Sequence, residues 1–316
     1  MTQTTTFTRT ALSPTLRALT AVALVTSATA GPAAAEPRPG SAAAEAARSD
    51  IAKTLGFVPG FFKVTADAAL PGAWQEMKGL QLNPGTALPG RTKELIGLAV
   101  SAQIPCRYCI IAHTEFAELN GASEAEVAEA VAVGGSARHW SAYLYGTQID
   151  EAKFAAEVAR MIENAKRPAR PAQPIDVVDA KSALADIQQT LGFVPEYLRR
   201  VPEPALPGAW RELKDLRLNP NSVLSAKQKA LIALAVASQV PSRPCIVAET
   251  AFARQAGASE REIGEAVGMA AITRNMSTLL NGQQIDERGF RADVDRLVSG
   301  AKAAQKKAAL TASRKR

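Results

Sequence analysis

"GRTKELIGLAVSAQIPCRYCIIAHTEFAELNG", residues 90–121, is the stretch on which the fold turns. Its first half is apolar almost all round, the pattern of a helix buried between neighbours. Pro105 ends that helix and suits the first turn of the next, "CRYCIIAHTEFAELN", which Gly121 stops. An altered copy of its centre, "PSRPCIVAE", stands at 241–249.

Working outward, the rest of the chain repeats as well. "LGFVP" at 55–59 returns at 191–195, "ALPGAW" at 69–74 returns at 205–210, and "QID" at 148–150 returns at 284–286. Each pair is offset by 136 residues, so the copies align without a gap from about residue 47 to 166. "RPARPAQP", residues 167–174, is a Pro-rich, semi-extended joint between them. The expected organisation is a first domain over 36–166 and a second over 175–301. A segment over 1–35 precedes them and a basic tail over 302–316 follows.

Each copy reads as helices. "SDIAKTLGF" is amphipathic and stops before Pro59, and "PGAWQEMKGLQL" is ended by Asn83-Pro84. Ser123 and Glu126 form a capping box for "EAEVAEAVAVGG", repeated by Ser259 and Glu262. "RHWSAYLYGTQID" and "EAKFAAEVARMIENAK" supply the last two helices. No run alternates as a strand would, so the fold class is all-α, two tandem helical domains from an internal duplication.

Hydrophobic residues make up 47% of the 316 and aromatics 5%, which places Ala, Leu, Val and Ile in the interior. The net charge of +7 belongs to the ends. Lys302, Lys306, Lys307, Arg314, Lys315 and Arg316 lie in the tail and Arg9 and Arg17 at the front, leaving a near-neutral body. That distribution argues against nucleic acid, and the tail reads as solvated and disordered. Arg9 and Arg17 precede the apolar run "ALTAVALVTSATA" at 18–30, and small residues allow cleavage after Ala30 or Ala35. The run falls short of the roughly 20 residues needed to cross a membrane, and no later stretch spans. The expectation is export to the periplasm or beyond; the alternative is a cytoplasmic protein with an Ala/Thr-rich extension.

Cys106, Cys109 and His113 fall at i, i+3 and i+7 of one helix and share a face. The first turn of a helix favours a thiolate, and Cys-x-x-Cys can close a local disulfide. One helical turn, about 5–6 Å, separates His113 from Cys109, and about two separate it from Cys106. This nominates Cys109 as the attacking thiol and Cys106 as the resolving one. Glu94 lies in the apolar "KELIGLAV"; if the chain reverses at Pro105, the carboxylate comes near enough to orient the imidazole or pass it a proton through water.

Glu94, eleven residues, then Cys-x-x-Cys-x-x-x-His resembles the active-site motif of the alkylhydroperoxidase D branch of the carboxymuconolactone decarboxylase-like family. The resemblance covers roughly 60–150 and 196–286, with the full motif only in the first copy. It implies an all-α fold, homo-oligomers on three-fold symmetry (a trimer of duplicated chains) and thiol-dependent reduction of a hydroperoxide substrate. It implies that Cys109 attacks, Cys106 resolves, His113 acts as base and proton shuttle, and Glu94 assists. An external dithiol reductant would complete the cycle, with no cofactor and no metal. The best-known members carry a histidine where this chain has Tyr108, a possible auxiliary. In the second copy the motif positions hold Ala230, Ser242, Pro244 and Glu249, and Cys245 alone remains.

Other readings stay open. The sulfur pair could be a structural disulfide or part of a zinc site. The activity could be thiol–disulfide exchange without peroxide, a decarboxylase or other lactone enzyme, or none, in a helical assembly protein. Cys245 reads as a small buried hydrophobe, His139 as a helix-surface residue, and Trp74 and Trp210 as core anchors.

Overall fold

The structure is a computed structural model describing residues 39–167 and 173–313. The expected export segment, 1–35, lies outside the described residues, as does most of the Pro-rich joint. Every regular element among the described residues is a helix. The first copy comprises α1 (Pro39–Leu55), α2 (Gly60–Lys63), α3 (Leu70–Glu76), a π-helix π1 (Met77–Gln81), α4 (Gly90–Gln103), α5 (Arg107–Leu119), α6 (Glu124–Gly146) and α7 (Glu151–Ala165). The second repeats it as α8 (Ala180–Leu191), α9 (Glu196–Arg199), α10 (Leu206–Glu212), π2 (Leu213–Leu218), α11 (Ala226–Gln239), α12 (Arg243–Gln255), α13 (Glu260–Gly282) and α14 (Glu287–Ser313).

The all-round apolarity of α4 has its reason in the packing. Thr92 through Ser101 are all buried, and Lys229 through Ala237 are buried likewise on α11. α4, α6, α11 and α13 meet in one shared core, with α6 of the first copy against α11 and α13 of the second against α4. Two carboxylates pin the exchange. Glu265 accepts from the N–H groups of Ala87 and Leu88 at 2.8 and 2.7 Å, and Glu129 accepts from Val223 and Leu224 at 3.1 and 3.3 Å. The last helix of each copy then crosses over, α7 covering α12 and α14 covering α5.

A buried lysine recurs in both halves. Lys93 Nζ donates to Leu80 O, Asn83 O and Thr86 Oγ1 at 2.7–3.0 Å, and Lys229 Nζ makes the matching set with Leu216, Asn219 and Ser222. Burial pulls the pKa of both ammonium groups down, and three acceptors each offset the cost of desolvation. The lysines tie the end of each π-helix to the central helix behind it. Trp74 and Trp210 are buried, and their Nε1 groups donate to Asp50 and Asp186 at 2.7 and 2.6 Å.

Four local expectations are corrected. "EAEVAEAVAVGG" and "RHWSAYLYGTQID" form one helix of 23 residues, α6, and Gly134–Gly135 does not stop it. A Cβ on Gly134 would stand 3.1 Å from Ala99 Cβ, so the glycine lets α6 close on α4 instead of ending it. "PGAWQEMKGLQL" widens after Glu76 into π1. Pro105 precedes the N-cap and lies outside the first turn, because Cys106 itself caps α5. The tail is helical through Ser313 as the continuation of α14, with each residue from Lys302 to Ser313 exposed to some degree.

Candidate active site

The chain reverses between Gln103 and Arg107, so α4 and α5 lie side by side and bring Glu94 to His113. Glu94 Oε2 and His113 Nδ1 are 2.6 Å apart, and the residues are only 3% and 6% exposed. Gln81 Nε2, on π1, donates toward both carboxylate oxygens at 3.2 and 3.4 Å. With Glu94 accepting on both oxygens, the shared proton sits on Nδ1 and leaves the Nε2 lone pair as the basic one. On that side Thr273 Oγ1, from α13 of the second copy, lies 3.4 Å from Nε2.

Cys106 and Cys109 are joined as a disulfide with their Cα atoms 5.3 Å apart. Cys106 is wholly buried, and its sulfur accepts the Cys109 N–H at 3.3 Å, the orphan donor of an α-helix start. Cys109 instead lines a cavity of about 670 Å³ that it shares with His113, Glu94 and Gln81. The remaining wall is largely apolar. Phe61, Met77 and Phe116 come from the first copy, and Ile272, Met276 and Phe290 from the second, together with Ala301 and Ala304 of α14. Tyr108 is not in that wall. Its hydroxyl donates to Ile285 O at 2.6 Å and its ring meets Phe290 edge-on, so it ties α5 to the second copy. Among the described residues no group of three or more His, Cys, Asp and Glu side chains is disposed to hold a metal ion.

Where the first copy has Gln81, Glu94 and His113, the second has Arg217, Ala230 and Glu249. Arg217 Nη2 meets Glu249 Oε2 at 2.6 Å in place of the carboxylate–imidazole pair. Burial pushes the Glu249 carboxyl up, opposed by the Arg217 guanidinium, and burial pushes the Cys245 thiol up to about 11. The surrounding wall differs too. Trp140 stands where the first site has Met276, and Tyr197 packs edge-on against both Trp140 and Phe154 at 5.4 and 5.5 Å. These rings belong to the same buried cluster as Cys245.

Gln81, Gly97, Thr273 and Asn281 are absent from the sequence-derived set. Gly97 sits under the imidazole, where any Cβ would collide with the ring, and its counterpart is Ala233. Asn281 Nδ2 reaches Cys106 Sγ at 3.5 Å. The available signal was the mismatch between copies at polar positions: Gln81 against Arg217, Thr273 against Ala137, Asn281 against Tyr145.

An all-α duplicated frame with a sulfur pair at one helix start is the class of protein defined here. The family described as "CMD: Carboxymuconolactone decarboxylase family" matches residues 68–152 and again 204–284, together just over half of the chain. The chain belongs to the carboxymuconolactone decarboxylase family and carries its unit twice. Among solved structures it is similar to a chain titled as a gamma-carboxymuconolactone decarboxylase subunit of Burkholderia xenovorans LB400. That likeness has 17% identity and a TM-score of 0.49, covering 85% of this chain and 98% of that one. No curated protein matches.

Proposed function

We propose that the first copy is a thiol-dependent peroxidase acting on organic hydroperoxides through a Cys106–Cys109 disulfide cycle. The observation that supports it most is the buried Glu94–His113 pair opening, together with Cys109, onto one apolar cavity. In the reduced protein, His113 Nε2 takes the proton of the Cys109 thiol, and the resulting thiolate attacks the terminal oxygen of ROOH. The O–O bond breaks, Cys109 becomes a sulfenic acid, and ROH leaves with a proton from His113. The Cys106 thiolate then attacks the sulfenic sulfur, forming the disulfide and expelling hydroxide, which is protonated to water. A dithiol from outside the chain returns the two electrons.

Glu94 keeps Nδ1 protonated and the ring oriented throughout. Gln81 holds the carboxylate, and Gly97 leaves room for the ring. The apolar wall suits an alkyl or aryl group better than hydrogen peroxide.

The test is a single turnover. Reduced protein mixed with cumene hydroperoxide should consume one equivalent of peroxide as two thiols disappear. Thiols lost only to a partner disulfide, with peroxide untouched, would favour plain disulfide exchange. Inert thiols would leave the lactone chemistry of the family's name or a structural role.

The same reading carries an exported protein working as a three-fold homo-oligomer. Mass spectrometry of the mature N-terminus and light scattering test these two points; an intact Met1 or a monomer would refute them respectively.

A further inference from the structure

We propose that Asn281, contributed by the second copy, is a positioning residue that stabilises Cys106 as the departing thiolate and thereby sets the reduction potential of the sulfur pair. This rests on the disulfide cycle but not on peroxide being its oxidant.

Asn281 lies near the end of α13. Its Nδ2 donates to the Ser277 carbonyl at 2.7 Å, and a carbonyl only accepts, which fixes that side-chain atom as the NH₂ group. The same nitrogen lies 3.5 Å from Cys106 Sγ and 3.4 Å from Ser277 Oγ. One N–H is thus anchored on the helix carbonyl, which leaves the other for Cys106 Sγ, with Ser277 Oγ beside it. Together with the Cys109 N–H, the Cys106 sulfur has two donors within 3.5 Å, and the residue is wholly buried. A buried thiolate is costly without such donors, and hydrogen bonds to an ionised partner are the strong ones.

The two sulfurs differ in a way that gives the donors a task. Cys109 faces the cavity, so an incoming thiolate attacks Cys109 Sγ. A new S–S bond forms to Cys109, the Cys106–Cys109 bond breaks, and its electron pair leaves on Cys106 Sγ. A second thiolate of the same dithiol then attacks the mixed disulfide and expels Cys109 as thiolate. The dithiol ends oxidised and the pair ends reduced by two electrons. A leaving sulfur met by an N–H departs faster, and the reduced state is favoured.

The second half of the molecule shows the scaffold without this feature. Tyr145 occupies the position of Asn281 there, donating to Pro241 O at 2.7 Å and accepting from Arg243 N–H at 2.9 Å. Residue 242 is a serine, and no redox pair exists to be served.

The experiment equilibrates parent protein, Asn281→Leu and Asn281→Ala in dithiothreitol buffers at fixed pH, scoring the Cys106–Cys109 disulfide by mass. Both variants should favour the disulfide about tenfold more than the parent, which is about 30 mV for a two-electron couple. The rate of reduction should fall to a similar degree. A folded variant within twofold of the parent on both measures overturns the proposal. If neither variant folds, the Asn281 side-chain amide of ¹⁵N-labelled parent protein reads the same contact. Reduction should shift one of its two N–H resonances, and resonances indifferent to redox state overturn it. No peroxide enters these measurements, so a failure of the peroxidase reading leaves them interpretable.

Discussion

Glu94 and His113 lie nineteen residues apart on adjacent helices, and their buried side chains meet at 2.6 Å. A carboxylate in that position fixes which imidazole nitrogen carries the proton. Glu94→Gln keeps the shape and removes the charge. The rate of peroxide reduction should fall ~10²-fold or more, in line with what a positioned proton donor or acceptor contributes. Stopped-flow kinetics check this, and a rate within threefold of the parent would remove Glu94 from the mechanism.

The sulfurs should show separate duties. Cys109→Ser should abolish peroxide consumption. Cys106→Ser should consume one equivalent and stop, with a sulfenic acid at Cys109 that dimedone traps and mass spectrometry locates. Full turnover by either variant contradicts the roles assigned to the buried sulfur and the cavity-facing one.

Gly97→Ala drives a methyl group into the imidazole of His113. The helix itself tolerates alanine well, so the effect should be read at the ring. Thermal stability should drop by about 1–3 kcal/mol, as overpacking does, and peroxide reduction should fall with it. At the matching position, Ala233→Gly should leave activity unchanged, since nothing reactive lies above it.

Restoring the motif to the second copy should not restore chemistry. The changes Ala230→Glu, Ser242→Cys, Glu249→His and Arg217→Gln, with Ala233→Gly to admit the imidazole, rebuild the motif, yet Trp140 still stands where the first site has Met276 and packs against Tyr197. Peroxide reduction by this graft, measured on a Cys109→Ser background, should stay at baseline. It should rise only when Trp140→Met and Tyr197→Phe are added. Activity in the filled variant would mean that the cavity is dispensable.

Cys245 gives a pH signature. Its folded thiol titrates at about 11 against an ordinary value of 9.0, because burial disfavours the thiolate. The native state therefore holds its proton where the unfolded chain has lost it. From pH 9 to 11 this one group costs stability as pH rises, by at most ~1.4 kcal/mol per pH unit. Cys245→Ala should flatten the alkaline fall in melting temperature over that interval. An unchanged slope, or rapid alkylation of native Cys245 at pH 8, would show the thiol is not buried in solution.

Much of this architecture could be read from residue order. The repeat and its helices followed from "LGFVP", "ALPGAW" and the capping boxes, because those features are local. The motif residues were also legible, since Cys106, Cys109 and His113 share one helix and Glu94 interrupts an apolar run. What residue order does not carry depends on contacts across the duplication. Thr273 and Asn281 reach the first site over 160 and 175 residues, and no periodicity reports which helix of one copy will lie on the other. The single helix α6 over both "EAEVAEAVAVGG" and "RHWSAYLYGTQID" is not legible locally, because Gly134 serves close approach to Ala99. Gly97 carried no signal beyond its mismatch with Ala233.

The crossing of α14 onto α5 has a consequence for how the protein comes into being. The ribosome delivers the cysteine pair long before it delivers Phe290, Val294 and Ala301, which close the chamber above Cys109. A prematurely terminated polypeptide would carry every residue of the motif over an unroofed floor. An enclosed chamber beside the sulfur pair is therefore an attribute of the finished molecule, acquired only when α14 has been synthesised.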